Sequence, residues 1–186
     1  MVEKKGSETE ASVSRAVDME ALQRKINTYS DMLYRIAFLQ LKNNQDAEDV
    51  VQETFYQFVK RKVEFETPEH EKAWLIKVTL NGCRKVWRSA WYRHTEVVSD
   101  GKFPEGKGTP GDGMENAVLE KERNREIMEA VMKLPRKYRE VIHLFQQLSI
   151  KEISAITERR ESTVTSQLTR GRELLKKNLK EEYRYE

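Results

Sequence analysis

A single cysteine, Cys83, stands in 186 residues. With no partner for an intramolecular disulfide, it excludes a disulfide scaffold and makes a reducing compartment the natural home. Histidine is almost as scarce. His70, His94 and His143 are scattered along the chain, so no zinc-type spacing closes and no metal is expected. There is no Walker loop and no nucleophile elbow, and Cys83 lacks a nearby base. Neither an enzyme, nor a catalytic residue, nor a cofactor is expected. No apolar run approaches membrane-spanning length, and MVEKKGSETEASVSRAV at the start has no apolar core of signal-peptide length. A soluble, cytoplasmic chain without membrane insertion of its own is the expectation. Strand-like alternation and internal repeats are missing as well.

What the chain does have is charge, unevenly placed. Charged residues make up 35% of it, yet the net charge is only +3. Asp46, Glu48, Asp49 and Glu53 crowd one short stretch that has no Lys or Arg. Lys72, Lys77, Arg84, Lys85, Arg88 and Arg93 fill another that has no carboxylate. Arg159 to Lys180 is basic again. Blocks of opposite sign imply two partners, one cationic and one polyanionic.

Periodicity divides the chain into helices. Residues 1–17 are polar and poor in apolar side chains, a composition that predicts disorder. Met19, Leu22, Ile26, Tyr29, Leu33 and Ile36 then recur at helical spacing. A second helix follows the Asn43-Asn44 break. Thr67-Pro68-Glu69 supplies a cap, a first-turn proline and a first-turn acid for a third, expected to run to about Trp91. Ser99 to Gly113 holds five glycines and two prolines and has no apolar period, so it is a linker. Fully stretched, Thr95 to Glu115 spans up to roughly 70 Å at about 3.3 Å per residue. Four more helical patterns follow, with Pro135 separating the first two. The expected fold is all-α: a first helical module at 18–94, a flexible linker at 95–113 and a second module at 114–186.

Three surfaces carry chemistry. In DAEDVVQETFYQF the apolar residues Ala47, Val50, Val51, Phe55 and Phe58 mark a buried side, leaving Asp46, Asp49 and Glu53 opposite, with Gln52 alongside. That row is either a docking face for a basic protein or a solubilising helix end. On the third helix Lys77, Asn81, Arg84, Lys85 and Arg88 share an arc of roughly 100°, bordered by Trp74 and flanked by Trp87 and Trp91. Leu75, Val78, Gly82, Cys83 and Val86 take the expected core side. Cations, rings and an amide suit phosphate, unpaired bases and a base edge, although a solvated basic face over buried tryptophans fits equally. In the second module Ser149 and Glu152 form a capping box. There SIKEISAITERRESTVTSQLTRGREL has the layout of a helix-turn-helix without the usual glycine in its turn. Val164, Leu168, Leu174 and Leu175 supply the inner side of its last helix. Thr165, Ser166, Thr169, Arg170 and Arg172 are left to face outward, with Gln167 beside them, either as a recognition helix or as the solvent side of a plain three-helix packing unit.

Taken together, these segments resemble the bacterial sigma factors of the extracytoplasmic-function (ECF) type, over about Met19 to Lys180. YSDMLYRIAFLQLKNNQDAEDVVQETFYQF and EKAWLIKVTLNGCRKVWRS look like sigma domain 2. LPRKYREVIHLF, LSIKEISAI and STVTSQLTRGRELL look like the helix-turn-helix of sigma domain 4. The resemblance implies that Asp49, Gln52 and Glu53 grip core RNA polymerase. It implies that Asn81 stands beside the promoter −10 element, with Val63–Glu71 helping to form a pocket for an extruded base, and Trp74, Lys77, Arg84 and Arg88 on the same basic helix are expected to serve that element too. Thr165, Ser166, Gln167, Thr169 and Arg170 would enter the −35 major groove. Core polymerase, promoter DNA and an anti-sigma factor are the implied partners.

Several residues depart from the family pattern. Glu158 stands where glycine, asparagine or aspartate is usual, at a cost of roughly 1–2 kcal/mol if the backbone there is left-handed. Thr165 and Gln167 stand where basic residues are common, which leaves Arg159 and Arg160 as candidates to restore phosphate grip. The competing expectation is an autonomous helix-turn-helix regulator, which would need its own dimer interface and have no use for the acidic row.

Overall fold

The computed structural model describes residues 4–61, 65–89 and 125–182. The linker at 95–113, Trp91, the start of the second module and part of the Val63–Glu71 loop lie outside them. Among the described residues every regular element is a helix. We number them α1 (Lys4–Leu41), α2 (Asn44–Arg61), α3 (Pro68–Arg88), α4 (residues 125–132), α5 (Arg136–Phe145), α6 (Ile150–Thr157) and α7 (Glu161–Glu182).

The boundaries follow from local chemistry. Thr67 caps α3 by accepting from the His70 N–H at 3.2 Å, and Pro68 takes the first helical position. Asn43 caps α2 by accepting from the Asp46 N–H at 3.0 Å, while Lys42 turns left-handed at φ 57° to end α1. Ser149 and Glu152 close the expected capping box: Glu152 Oε2 accepts from the Ser149 N–H at 2.7 Å, and Ser149 Oγ accepts from the Glu152 N–H at 3.3 Å. Two boundaries differ from expectation. The polar segment before Asp18, expected to be disordered, continues α1 back to Lys4. Its Lys, Glu and Ala residues are good helix formers, and extending an existing helix avoids the cost of nucleation. At the other end α3 stops at Arg88, where the Ser89 hydroxyl donates to the Val86 carbonyl at 2.8 Å.

Helices α1, α2 and α3 enclose Leu33, Ala37, Phe38, Ala47, Val50, Leu75, Ile76 and Leu80. The buried stripe of α3 is rotated from the expected one: Glu71, Leu75, Ile76, Thr79, Leu80 and Cys83 point inward, while Val78 and Val86 are half-buried. An apolarity count misses Thr79 because its hydroxyl is satisfied internally, by the Leu75 carbonyl at 2.9 Å and by Thr54 at 3.2 Å. Glu71 is inside because Lys25 of α1 pairs with it. Cys83 is packing, and burial pushes its thiol up to about 12.

Gly82 sets the approach of α2 to α3. A Cβ there would stand 2.9 Å from Val50 Cγ1, on a branched, buried side chain with little room to turn. Gly82→Val is expected to destabilise the first module by about 1–3 kcal/mol, read as a lower denaturant midpoint at unchanged m-value.

In the second module α4 to α7 pack around Val141, Leu144, Ile153, Ile156, Val164 and Leu168. The guanidinium of buried Arg139 donates to the Met132 and Leu134 carbonyls at 2.9 and 3.2 Å, holding the α4–α5 corner. Glu158 is left-handed, with φ 59° and ψ 37°.

The two modules lie against each other, α5 on α1 and α6 on α3. Arg136 stacks over the Trp87 ring at 5.2 Å, and Lys77 pairs with Glu158 at 3.3 Å. His143 of α5 is pushed down to about 4, chiefly by burial and then by the Arg35 cation of α1. An unfolded histidine titrates near 6.5, so between about pH 6.5 and 4 the unfolded chain binds a proton that the folded chain refuses. Stability is therefore full above about pH 6.5 and falls as pH drops toward 4. Urea melts at pH 5 and pH 7 should show this slope, and His143→Gln should flatten it.

Candidate docking and nucleic-acid interfaces

On α2, Ala47, Val50, Val51, Thr54 and Phe55 are buried, which turns Asp49, Gln52 and Glu53 to solvent. Asp49 accepts from Gln45 Nε2 at 3.2 Å and Glu53 from Gln57 Nε2 at 3.0 Å. Among the described residues no cation pairs with either carboxylate. The same face continues into Tyr56 and Val59, which are 58% and 49% exposed. Sequence reasoning stopped at Glu53. The available signal was two large apolar residues lying off the buried arc of an amphipathic helix.

On α3, Asn81, Lys85 and Arg88 are exposed while Lys77 and Arg84 are half-buried. Arg84 Nη1 donates to Asn81 Oδ1 at 2.8 Å. Trp74 belongs to a ring cluster, with Phe65 at 5.7 Å and Phe58 at 6.1 Å, so it stands at the edge of the cationic arc with its ring partly covered. Through Phe65 the cluster ties the segment before α3 to α2. The Trp87 indole N–H donates to the Gln40 carbonyl at 3.2 Å.

On α7, Thr165, Ser166, Thr169 and Arg170 are exposed and Gln167 is half-buried. The Thr165 and Ser166 hydroxyls donate to the Glu161 and Ser162 carbonyls at 2.9 and 2.8 Å, so their oxygens face outward as acceptors. Arg159 is not available to a phosphate in this arrangement. It pairs with Glu140 at 2.7 Å and donates to Gln167 Oε1 at 3.1 Å. Arg160 is exposed at the start of the helix. A shallow groove runs between Lys137 and Tyr138 of α5 and Ser162, Ser166 and Arg170 of α7. No sequence pattern links Lys137 to Arg170; only the fold brings them together.

The left-handed Glu158 costs roughly 1–2 kcal/mol. Its pair with Lys77 is too exposed, at 70% and 43%, to be worth more than about 1 kcal/mol. Strain therefore outweighs the ion pair. Among the described residues no helix is long and apolar enough to cross a membrane, and no group of three or more His, Cys, Asp or Glu is placed to hold a metal ion.

The described residues thus hold an acid-faced and a cation-faced helix in one bundle and a helix-turn-helix in the second module. Residues 26–93 match the family Sigma-70 region 2, and residues 124–175 match Sigma-70, region 4. The chain is 30% identical to the ECF RNA polymerase sigma factor SigW of Bacillus subtilis (strain 168), over 88% of its own length and 91% of that protein's. It is 28% identical to the RNA polymerase sigma factor SigV of the same strain, over 84% and 90%. Its fold is similar to the sigma factor RpoE in complex with the anti-sigma factor NepR from Bartonella quintana, with TM-score 0.63 at 22% identity, covering 87% of this chain and 98% of that one. It is also similar to CnrH in complex with the cytosolic domain of CnrY, with TM-score 0.57 at 23% identity, covering 87% and 89%. The chain belongs to the ECF group of RNA polymerase sigma factors, and it is a transcription initiation factor.

Proposed function

We propose that the chain docks on core RNA polymerase through Asp49, Gln52 and Glu53 and reads a promoter with its two other faces. Trp74, Lys77, Asn81, Arg84 and Arg88 serve the −10 element, Trp74 as the wall of the site. Thr165, Ser166, Gln167, Thr169 and Arg170 serve the −35 major groove. The observation that carries this reading is the pair of exposed carboxylates on α2 with no cation upon them among the described residues. An autonomous regulator has no use for such a face.

The work done is physical rather than covalent. Contacts to an extruded base and to phosphates offset an unstacking cost of a few kcal/mol, so the duplex opens without chemistry by this chain. Elements named −10 and −35 lie about 25 base pairs apart, about 85 Å at about 3.4 Å per pair. With Lys77 3.3 Å from Glu158, the packed arrangement cannot reach both. The modules separate on use, and the linker has the length to let them. The packed arrangement suits storage with an inhibitory anti-sigma protein, the kind of partner that accompanies RpoE in the similar complex. A cytoplasmic location follows from that work.

Run-off transcription tests the reading. Core polymerase given this chain should yield a promoter-specific transcript, and neither component alone should. At the −35 face, Arg170→Ala should weaken binding and lower the slope of log affinity against log salt by about 1; an unaltered slope removes Arg170 from the contacts.

A further inference from the structure

The pairing of Arg84 with Asn81 on α3 fixes which half of the asparagine amide meets DNA. Arg84 lies one turn beyond Asn81, and its Nη1 donates to Asn81 Oδ1 at 2.8 Å. A guanidinium offers donors and no acceptor, so the oxygen of the amide is the atom that must face it. Asn81 is exposed, and the half of its amide turned away from Arg84 is the NH2 group, while the second lone pair of the oxygen lies beside a full positive charge.

An amide free to rotate would present either a donor or an acceptor and would accept either kind of base edge. Held by Arg84, it turns its donors outward and keeps its oxygen beside the cation. At ring position 4 of a pyrimidine or 6 of a purine, thymine (O4) and guanine (O6) carry a carbonyl that satisfies those donors. Adenine (N6) and cytosine (N4) carry an amino group at that position, which sets donor against donor. We propose that Arg84 is a positioning residue that makes Asn81 a one-way donor, so that this site selects an unpaired keto base and rejects an amino base. The inference rests on the assignment of α3 to the −10 element and adds to it the chemical class of the base and the residue that sets it.

The test measures binding of holoenzyme, core polymerase plus the full chain, to fork-junction DNA with each of the four bases at every −10 position. Asn81→Ala first identifies the position that Asn81 reads. If no position loses its preference, it is the −10 assignment of α3 that fails. At the position found, the wild type should favour thymine or guanine over adenine and cytosine by about tenfold. Arg84→Ala should reduce that ratio to less than about twofold while leaving the other positions in order. Arg84→Lys, which still donates but from a mobile point charge, should retain part of it. Asn81→Asp keeps one oxygen on Arg84 and turns the other outward, so the preference should invert toward adenine or cytosine. If Arg84→Ala weakens every sequence equally and only lowers the salt slope, Arg84 is a phosphate contact and the proposal is overturned. A wild-type preference for an amino base overturns it as well.

Discussion

Reversing the charge at Asp49 and Glu53 together is expected to abolish association with core RNA polymerase, by about a hundredfold or more. Both carboxylates are exposed, and among the described residues neither is held by a cation. The free protein therefore loses nothing internal on substitution beyond a hydrogen bond from Gln45 or Gln57. Surface changes of this kind fall within about 0.5 kcal/mol of neutral for stability. A partner with basic side chains, in contrast, would meet like charge at two centres, and like-charge juxtaposition costs several kcal/mol. Asp49→Lys/Glu53→Lys should thus keep the thermal midpoint of the wild type and fail to co-purify with polymerase. Retained co-purification would remove α2 from the docking face.

The second large effect is expected from Arg159→Ala. Glu140 is 6% exposed in its side chain, and Arg159 meets it at 2.7 Å while also holding Gln167 at 3.1 Å. Removing the cation leaves a buried carboxylate alone, which costs about 3–5 kcal/mol in comparable sites. A small helical module has little more stability than that in total. The second module should therefore melt first and separately, with −35-dependent transcription lost even where the first module stays folded. Replacing both partners, Glu140→Met with Arg159→Met, should recover most of the melting temperature, since the loss comes from the stranded charge. A double variant as unstable as the single would place the cause in the Arg159–Gln167 contact instead.

These two sites mark how far the sequence alone can be read. Asp49, Gln52 and Glu53 were legible because a helix of known register, with its apolar arc at Ala47, Val50, Val51 and Phe55, leaves only one direction for them to face. The caps at Thr67 and Ser149 were legible for the same reason: their partners lie within four residues. Arg159, a candidate for phosphate grip in the sequence, is instead engaged by Glu140 and Gln167. Glu140 lies 19 residues away on another helix, and no periodicity connects them. The rotated core of α3 escaped for a related reason. Thr79 and Glu71 are inside only because Thr54 of α2 and Lys25 of α1 meet them, and hydropathy counts them as surface. The packing of α6 on α3, which brings Glu158 to Lys77, likewise joins segments on either side of the linker.

The most direct measurement places 2-aminopurine at an unpaired position of the −10 element and follows its fluorescence. The base brightens when it leaves the stack. The account predicts a rise only when both this chain and core polymerase are present, and no rise with Asp49→Lys/Glu53→Lys. Tight binding of the chain to the duplex as a dimer, with fluorescence indifferent to polymerase, would contradict it.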